Sequence, residues 1–188
     1  WKVPCPVFIR GIAMEGGIGP VAGSSHHSLY FRMPGIKIVS PMTPKEYIKI
    51  YNDFLKNDDV MYVSEHRGSY NNTKEIKDII QPKSDIVIFA ISITRFEAMK
   101  AESILRKEGI KLSIVNILWL KPLKYNKNIV KTLKNSKLGG LVIDDDYSDG
   151  VAKSIANDLS LISNKKVYTM GLRNRTAGFH PTVDNLPP

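Results

Sequence analysis

Seven short runs rich in β-branched and other apolar residues alternate along this chain with amphipathic stretches, and no other feature constrains the fold as tightly. The runs cover residues 5–10, 36–40, 60–65, 85–91, 111–117, 140–144 and 166–170. Several are apolar throughout, as strands covered on both faces tend to be. No Asn-Gly or Asp-Gly hairpin turn joins one run to the next strand. Strands separated by helices in this way pair in parallel through crossovers, so the predicted fold class is α/β with mostly parallel sheet.

The helix boundaries are written in the intervening stretches. Thr43-Pro44-Lys45-Glu46 reads as a capping box with proline at the first helical position, opening a helix that carries Tyr47, Ile50, Tyr51, Phe54 and Leu55. Thr94-Arg95-Phe96-Glu97 reads as a second capping box, leading through Met99, Ile104 and Leu105 to a stop at Gly109. A third helix is expected over 125–136. A fourth starts near 148–150 and buries Val151, Ala152, Ile155, Ala156 and Leu159.

Between residues 70 and 82 the composition turns to Asn, Lys, Glu and Asp, closing on Gln81-Pro82. A domain boundary is expected there, dividing the chain into units 1–80 and 81–188. The second unit has the strands and helices of a small doubly wound domain. The first has three strands and one clear helix, too few to cover both faces of a parallel sheet, and reads as half a domain.

Composition excludes several classes. A hydrophobic content of 43% with 24% charged residues is that of a globular protein. The single Cys5 rules out an internal disulfide framework, and no Cys/His cluster has zinc-ligand spacing, so no metal site is expected and a reducing, cytoplasmic setting fits. No apolar run is long enough to span a membrane. The chain begins Trp1-Lys2-Val3, without an initiating methionine, and is expected to be a piece of something longer. The net charge of +9 is scattered. Its densest part, Lys121, Lys124, Lys127, Lys131, Lys134 and Lys137, has the spacing of one solvated helix face with Ile129, Val130 and Leu133 turned inward. No aromatic platform is interleaved with it, so no nucleic-acid partner is expected, and docking of an acidic partner surface stays open.

The candidate chemistry lies in a glycine-rich loop, residues 16–28, that holds two of the four histidines as the pair His26-His27. Glycine lets backbone approach a ligand, and imidazole exchanges a proton near neutral pH, so the combination has the makings of an active-site lip. A solvated, idle pair is the alternative. A dinucleotide loop is rejected, because Pro20 and the stretch 24–28 lack the helical period that must follow the glycines. Glu65-His66 ends a strand, where α/β folds place ligand groups, although a surface ion pair with Arg67 fits equally well. Asp144-Asp145-Asp146 could suggest a cation site, with a solvated acidic strand end as the plainer reading, and His180 reads as a structural or exposed residue.

The order of motifs then carries a resemblance. Val7-Phe8-Ile9-Arg10-Gly11, the glycine loop, His27-Ser28, Pro34-Gly35 with Ile36 to Pro41, Thr43-Pro44, Asn57-Asp58-Asp59 and Glu65-His66 follow one another as in transketolase-like thiamine diphosphate enzymes. The chain most resembles the β subunit of the decarboxylating component of pyruvate and branched-chain 2-oxoacid dehydrogenases. Asn116 to Leu123, Val142-Ile143-Asp144 and Gly150 sit where that family has its C-terminal domain motifs. In it, residues 1–80 would be the later half of a pyrimidine-binding domain and 81–188 the transketolase C-terminal domain, which serves dimerisation.

The resemblance further implies that His27, or His26 if the register moves by one, is a substrate-channel histidine assisting proton transfer, with Ser28 and Arg10 as substrate-binding residues. It implies thiamine diphosphate with magnesium, held largely by a partner subunit or another region, a small 2-oxo acid or ketose substrate, and a homo- or hetero-oligomer. The family's cofactor-activating glutamate precedes the start of this chain, so the chain alone is expected to be inactive. A monovalent-cation site near residues 55–59 is implied as well, against the plainer reading of a helix end. The alternatives are the carboxyl part of a single-chain transketolase or deoxyxylulose phosphate synthase, and a non-catalytic assembly module. Three departures stand out. The segment between His27 and Pro34 is shorter than in the family, around Ile91-Ser92-Ile93 a common glycine is missing, and Asp144 stands where glutamate is frequent.

Overall fold

The computed structural model describes residues 3–14 and 23–174. Most of the glycine loop and His180 therefore lie outside the described residues. The elements run β1 (Phe8–Ala13), α1 (His27–Phe31), β2 (Ile36–Val39), α2 (Pro44–Phe54), β3 (Val60–His66), β4 (Ile86–Ile91), α3 (Thr94–Leu105), β5 (Leu112–Ile117), β6 (Trp119–Lys121), α4 (Lys127–Asn135), β7 (Gly140–Tyr147), α5 (Val151–Ser163) and β8 (Val167–Leu172). Two four-stranded sheets result, ordered β1-β3-β2-β6 and β5-β4-β7-β8. Every pairing is parallel except β2 with β6. The α/β class read from the alternating runs is the class observed.

The continuous apolar runs are the innermost strands. Met61 and Val63 of β3, and Val87, Ala90 and Ile91 of β4, are fully enclosed. One core cluster spans both sheets: Ile38 and Tyr62 from the first meet Phe89, Val115 and Val142 from the second, together with the α5 stripe Val151, Ala152, Ile155, Ala156 and Leu159. Burial of each large side chain contributes roughly 1.5–3 kcal/mol, so this shared core is a principal tie between the sheets. Smaller clusters lie under α2, around Ile50, Met61 and Val63, and under α3, around Ala90, Ala98 and Ile114.

Several local expectations are corrected. β6 was not expected; residues 119–121 leave the second half of the sequence and pair antiparallel with β2 in the first sheet. Lys121 is therefore a strand residue whose ammonium donates to the carbonyls of Phe31 and Met33, and not part of the lysine face of α4. That helix starts at Lys127, capped by Asn126, and buries Leu133 as expected.

Neither capping box closes locally. Thr43 is the N-cap of α2, but its hydroxyl donates to Glu75, while Glu46 accepts from the Met42 amide. At α3 the cap position is Ile93, and the Thr94 hydroxyl donates to the carbonyls of Ile91 and Ile143. Tertiary partners outcompete the local reciprocal pattern at both sites. Glu46 is drawn off by Arg95 of α3, a fully enclosed guanidinium that donates to it twice, at 2.9 and 2.7 Å, and so fastens α3 to α2.

Candidate functional site where the histidine loop meets the acidic strand end

β7 alternates buried and half-buried positions along its length, which places Asp144 and Asp146 on the face that also carries Val142. Both carboxylates are buried, at 4% and 3% exposure. The acidic run is thus not a solvated strand end. Buried carboxylates require compensation, and it arrives from far away in sequence.

That compensation is His27, at the first position of the short helix α1. Its ring has no solvent exposure. Nε2 lies 2.9 Å from Asp144 Oδ2 and 3.6 Å from Asp146 Oδ2, and Nδ1 lies 3.0 Å from Ser64 Oγ on β3. Burial lowers the imidazole pKa, but the charge and hydrogen bond of Asp144, with Asp146 and Asp145 behind it, outweigh burial and raise it to about 9. That shift favours the protonated ring, the form that can donate from both nitrogens. The ring expected to line a substrate channel is enclosed between β3 and β7, where it joins the two sheets through Ser64 and Asp144.

Ser28 continues the junction. Its amide donates to Asp146 Oδ2 at 3.0 Å, and its hydroxyl accepts from the Val151 amide at 3.0 Å. The hydroxyl therefore caps α5, whose own cap residue, Gly150, has no side chain to do so. A Cβ at residue 150 would lie 2.1 Å from that hydroxyl oxygen, so glycine is what lets Ser28 reach the helix end. Ser28→Ala is expected to cost about 1 kcal/mol of stability, read as a lowered denaturation midpoint with an unchanged slope.

Asp145, half-buried between Asp144 and Asp146 on β7, has a separate set of partners. Its Oδ2 accepts from Ser25 Oγ at 2.7 Å and Ser92 Oγ at 3.0 Å, and His66 Nε2 stands 4.0 Å away. Burial, then the charge of Asp144, pushes its carboxyl above the usual carboxylate range. Ser92 reaches it from a left-handed backbone conformation, φ 54°. Such a conformation costs a serine roughly 1–2 kcal/mol, offset here by the hydroxyl bond.

The remaining sequence candidates fall elsewhere. His26 immediately precedes α1 and is partly exposed. Arg10 on β1 makes a two-pronged ion pair with Glu65, both contacts at 2.8 Å, and the Tyr70 hydroxyl donates to the same carboxylate at 2.6 Å. Glu65 is thus paired with Arg10 and not with Arg67. Half-exposed Arg10 lines a cleft with Met42, Thr43, Tyr47 and Asn72, and no hydrogen bond among the described residues joins it to the histidine cluster. His66 accepts from the Gly68 amide through Nδ1. At residues 55–59 the carbonyls of Tyr51, Asp53 and Phe54 accept from amides of the fraying helix end, and the Lys37 ammonium sits 2.7 Å from Asp53 and 2.9 Å from Asp59.

Sequence reasoning did not gather Ser25, Ser64, Ser92 and the aspartates around His27. The available signal was the acidic run at the carboxyl end of a parallel strand, the end at which α/β sheets assemble their sites.

Residues 77–179, more than half of the chain, match the family described as transketolase, C-terminal domain. The chain belongs to the transketolase C-terminal domain family. Within that family setting, similar proteins include the acetoin:2,6-dichlorophenolindophenol oxidoreductase subunit beta of Cupriavidus necator, 27% identical over 174 residues and covering 85% of this chain and 49% of the relative. The pyruvate dehydrogenase E1 component subunit beta of Chaetosphaeridium globosum is 26% identical, covering 74% and 46%. The 2-oxoisovalerate dehydrogenase subunit beta of Bacillus subtilis is 26% identical, covering 84% and 51%. The chain spans about half the length of these relatives. Among solved structures, a split gene transketolase described as an inactive beta4 tetramer superposes with a TM-score of 0.72 at 18% identity, over 94% of this chain and 60% of that one. Transketolase from Campylobacter jejuni gives 0.68 at 14% identity, over 94% and 28%. These likenesses establish the fold that the sequence motifs implied. No described helix is long and apolar enough to cross a membrane.

Proposed function

We propose that this chain is the carboxyl part of a β-type subunit of a thiamine-diphosphate-dependent 2-oxoacid dehydrogenase or a closely related transketolase-like enzyme. The observation that carries the reading is its similarity, over most of its length, to β subunits whose names specify pyruvate, 2-oxoisovalerate and acetoin. On this reading residues 1–80 are part of a pyrimidine-binding domain and 81–188 the C-terminal domain that supports assembly. The substrate is a small 2-oxo acid, with a ketose as the transketolase alternative.

The described residues do not suit the cofactor's diphosphate. The junction around His27 is closed and carries three carboxylates, which repel a polyanion. The diphosphate and its magnesium are accordingly assigned to a partner subunit or to a region outside this chain, in a homo- or hetero-oligomer. Arg10, half-exposed in its cleft, is retained as an anion-facing residue for a substrate carboxylate. The histidine pair divides its work. His27 holds the two sheets in register through Ser64 and Asp144, and Ser28 fixes α5 against them. His26, partly exposed just before α1, presents the imidazole that meets substrate.

The test is kinetic, on the full-length protein assembled with its cofactor-binding partner. His26→Ala is expected to lower kcat by about 10²–10⁴ in the folded, assembled complex. An unchanged kcat would remove His26 from the site and favour an assembly role for this loop.

A further inference from the structure

The junction carries more negative charge than its protein partners use. Asp144 Oδ1 and Asp145 Oδ1 are both buried and have no hydrogen-bond partner, although the other oxygen of each carboxylate is fully engaged. A buried carboxylate oxygen without a donor is costly and calls for a partner. Coordinating atoms of His27, Asp144 and Asp145 lie within 4.8 Å of one another.

From this geometry we infer that His27, Asp144 and Asp145 form a binding site for one divalent transition-metal ion. The ion takes the place of the Nε2 proton between His27 and Asp144 and draws in the two unpartnered oxygens. Atoms bound to a single ion at about 2.1 Å stand roughly 3–4 Å apart, so closing the site requires a small inward movement of the Asp145 side chain. The present Nε2 to Asp144 separation of 2.9 Å already matches adjacent ligands.

The surroundings have the form that metal sites require. A ligating imidazole has its second nitrogen fixed by another group, and Ser64 Oγ holds Nδ1 at 3.0 Å. Ligating carboxylates are themselves hydrogen-bonded, and Ser25 and Ser92 hold Asp145. One imidazole with two carboxylates selects zinc-like ions over magnesium or calcium, which prefer all-oxygen shells. Asp146 Oδ2, 3.6 Å from Nε2 and anchored by the Ser28 amide, adds negative charge behind the ligands. The site is independent of the enzyme reading, because it depends only on the junction between the two sheets.

The probe is zinc. Full-length protein stripped with a chelator and then equilibrated with Zn²⁺ should retain one equivalent after desalting, with a raised melting temperature. Asp145→Asn should weaken zinc binding by more than about tenfold, and Ser64→Ala, which removes no ligand, by about 10–100-fold. The serine variant keeps the test decisive if the aspartate variant does not fold. Retention of less than one equivalent by the folded wild-type protein would overturn the proposal. Equal zinc affinity in wild type and in both folded variants would overturn it too, by placing the zinc elsewhere.

Discussion

Replacing His27 with alanine should destabilise the protein by about 3–5 kcal/mol, a drop in melting temperature on the order of 10 °C. The substitution leaves Asp144 and Asp146 buried beside a void with no compensating charge. It also removes the bond to Ser64, and with it the polar cross-link between β3 and β7. Adding Asp144→Asn to the alanine variant should recover part of the loss, since it removes the charge left unpaired; a double-mutant cycle measures the coupling. A loss below 1 kcal/mol for His27→Ala would show that water or another cation already satisfies the aspartates.

Arg95→Ala should cost a comparable amount, about 3–5 kcal/mol. The guanidinium is fully enclosed and meets Glu46 with both terminal nitrogens, so its removal opens a cavity and leaves the carboxylate, among the described residues, with the Met42 amide. Lysine should not rescue it, because a single ammonium cannot reproduce the two-pronged contact. Denaturant unfolding of Arg95→Ala, Arg95→Lys and Glu46→Gln distinguishes the cases. If Arg95→Lys is as stable as wild type, the planar fork is not what joins α3 to α2.

The fold was legible because the seven strand runs are long enough, and apolar enough, to bury themselves without help from distant groups. The α5 stripe was legible for the same reason: Val151, Ala152, Ile155, Ala156 and Leu159 repeat at the helical period and meet one core. Elements of a few residues were not. α1 spans five residues and β6 three, too few for a period to accumulate, and β6 exists only because the edge of β2 is available to it. The capping boxes failed because Glu46 and Thr43 found stronger partners in Arg95 and Glu75.

The site was half legible. Glycines and histidines together mark residues 16–28 as a candidate site in the sequence, and the motif order singles out His27 within them. What His27 does was not readable there, because Asp144 lies 117 residues away. A run of three aspartates looks solvated in sequence when the burial pattern of its strand is unknown. Only the alternation along β7, which sends Asp144 and Asp146 inward and Asp145 toward Ser25 and Ser92, turns it into a charged junction.

The central claim is that this chain works as part of a β-type subunit in a thiamine diphosphate enzyme. Its most direct test is turnover by the full-length protein assembled with its cofactor-binding partner, thiamine diphosphate and magnesium, measured as 2-oxo acid decarboxylation coupled to reduction of an artificial acceptor. The account predicts turnover that requires both the partner and the cofactor and is absent from either subunit alone. An assembled complex that binds the cofactor yet turns over neither a 2-oxo acid nor a ketose would contradict it.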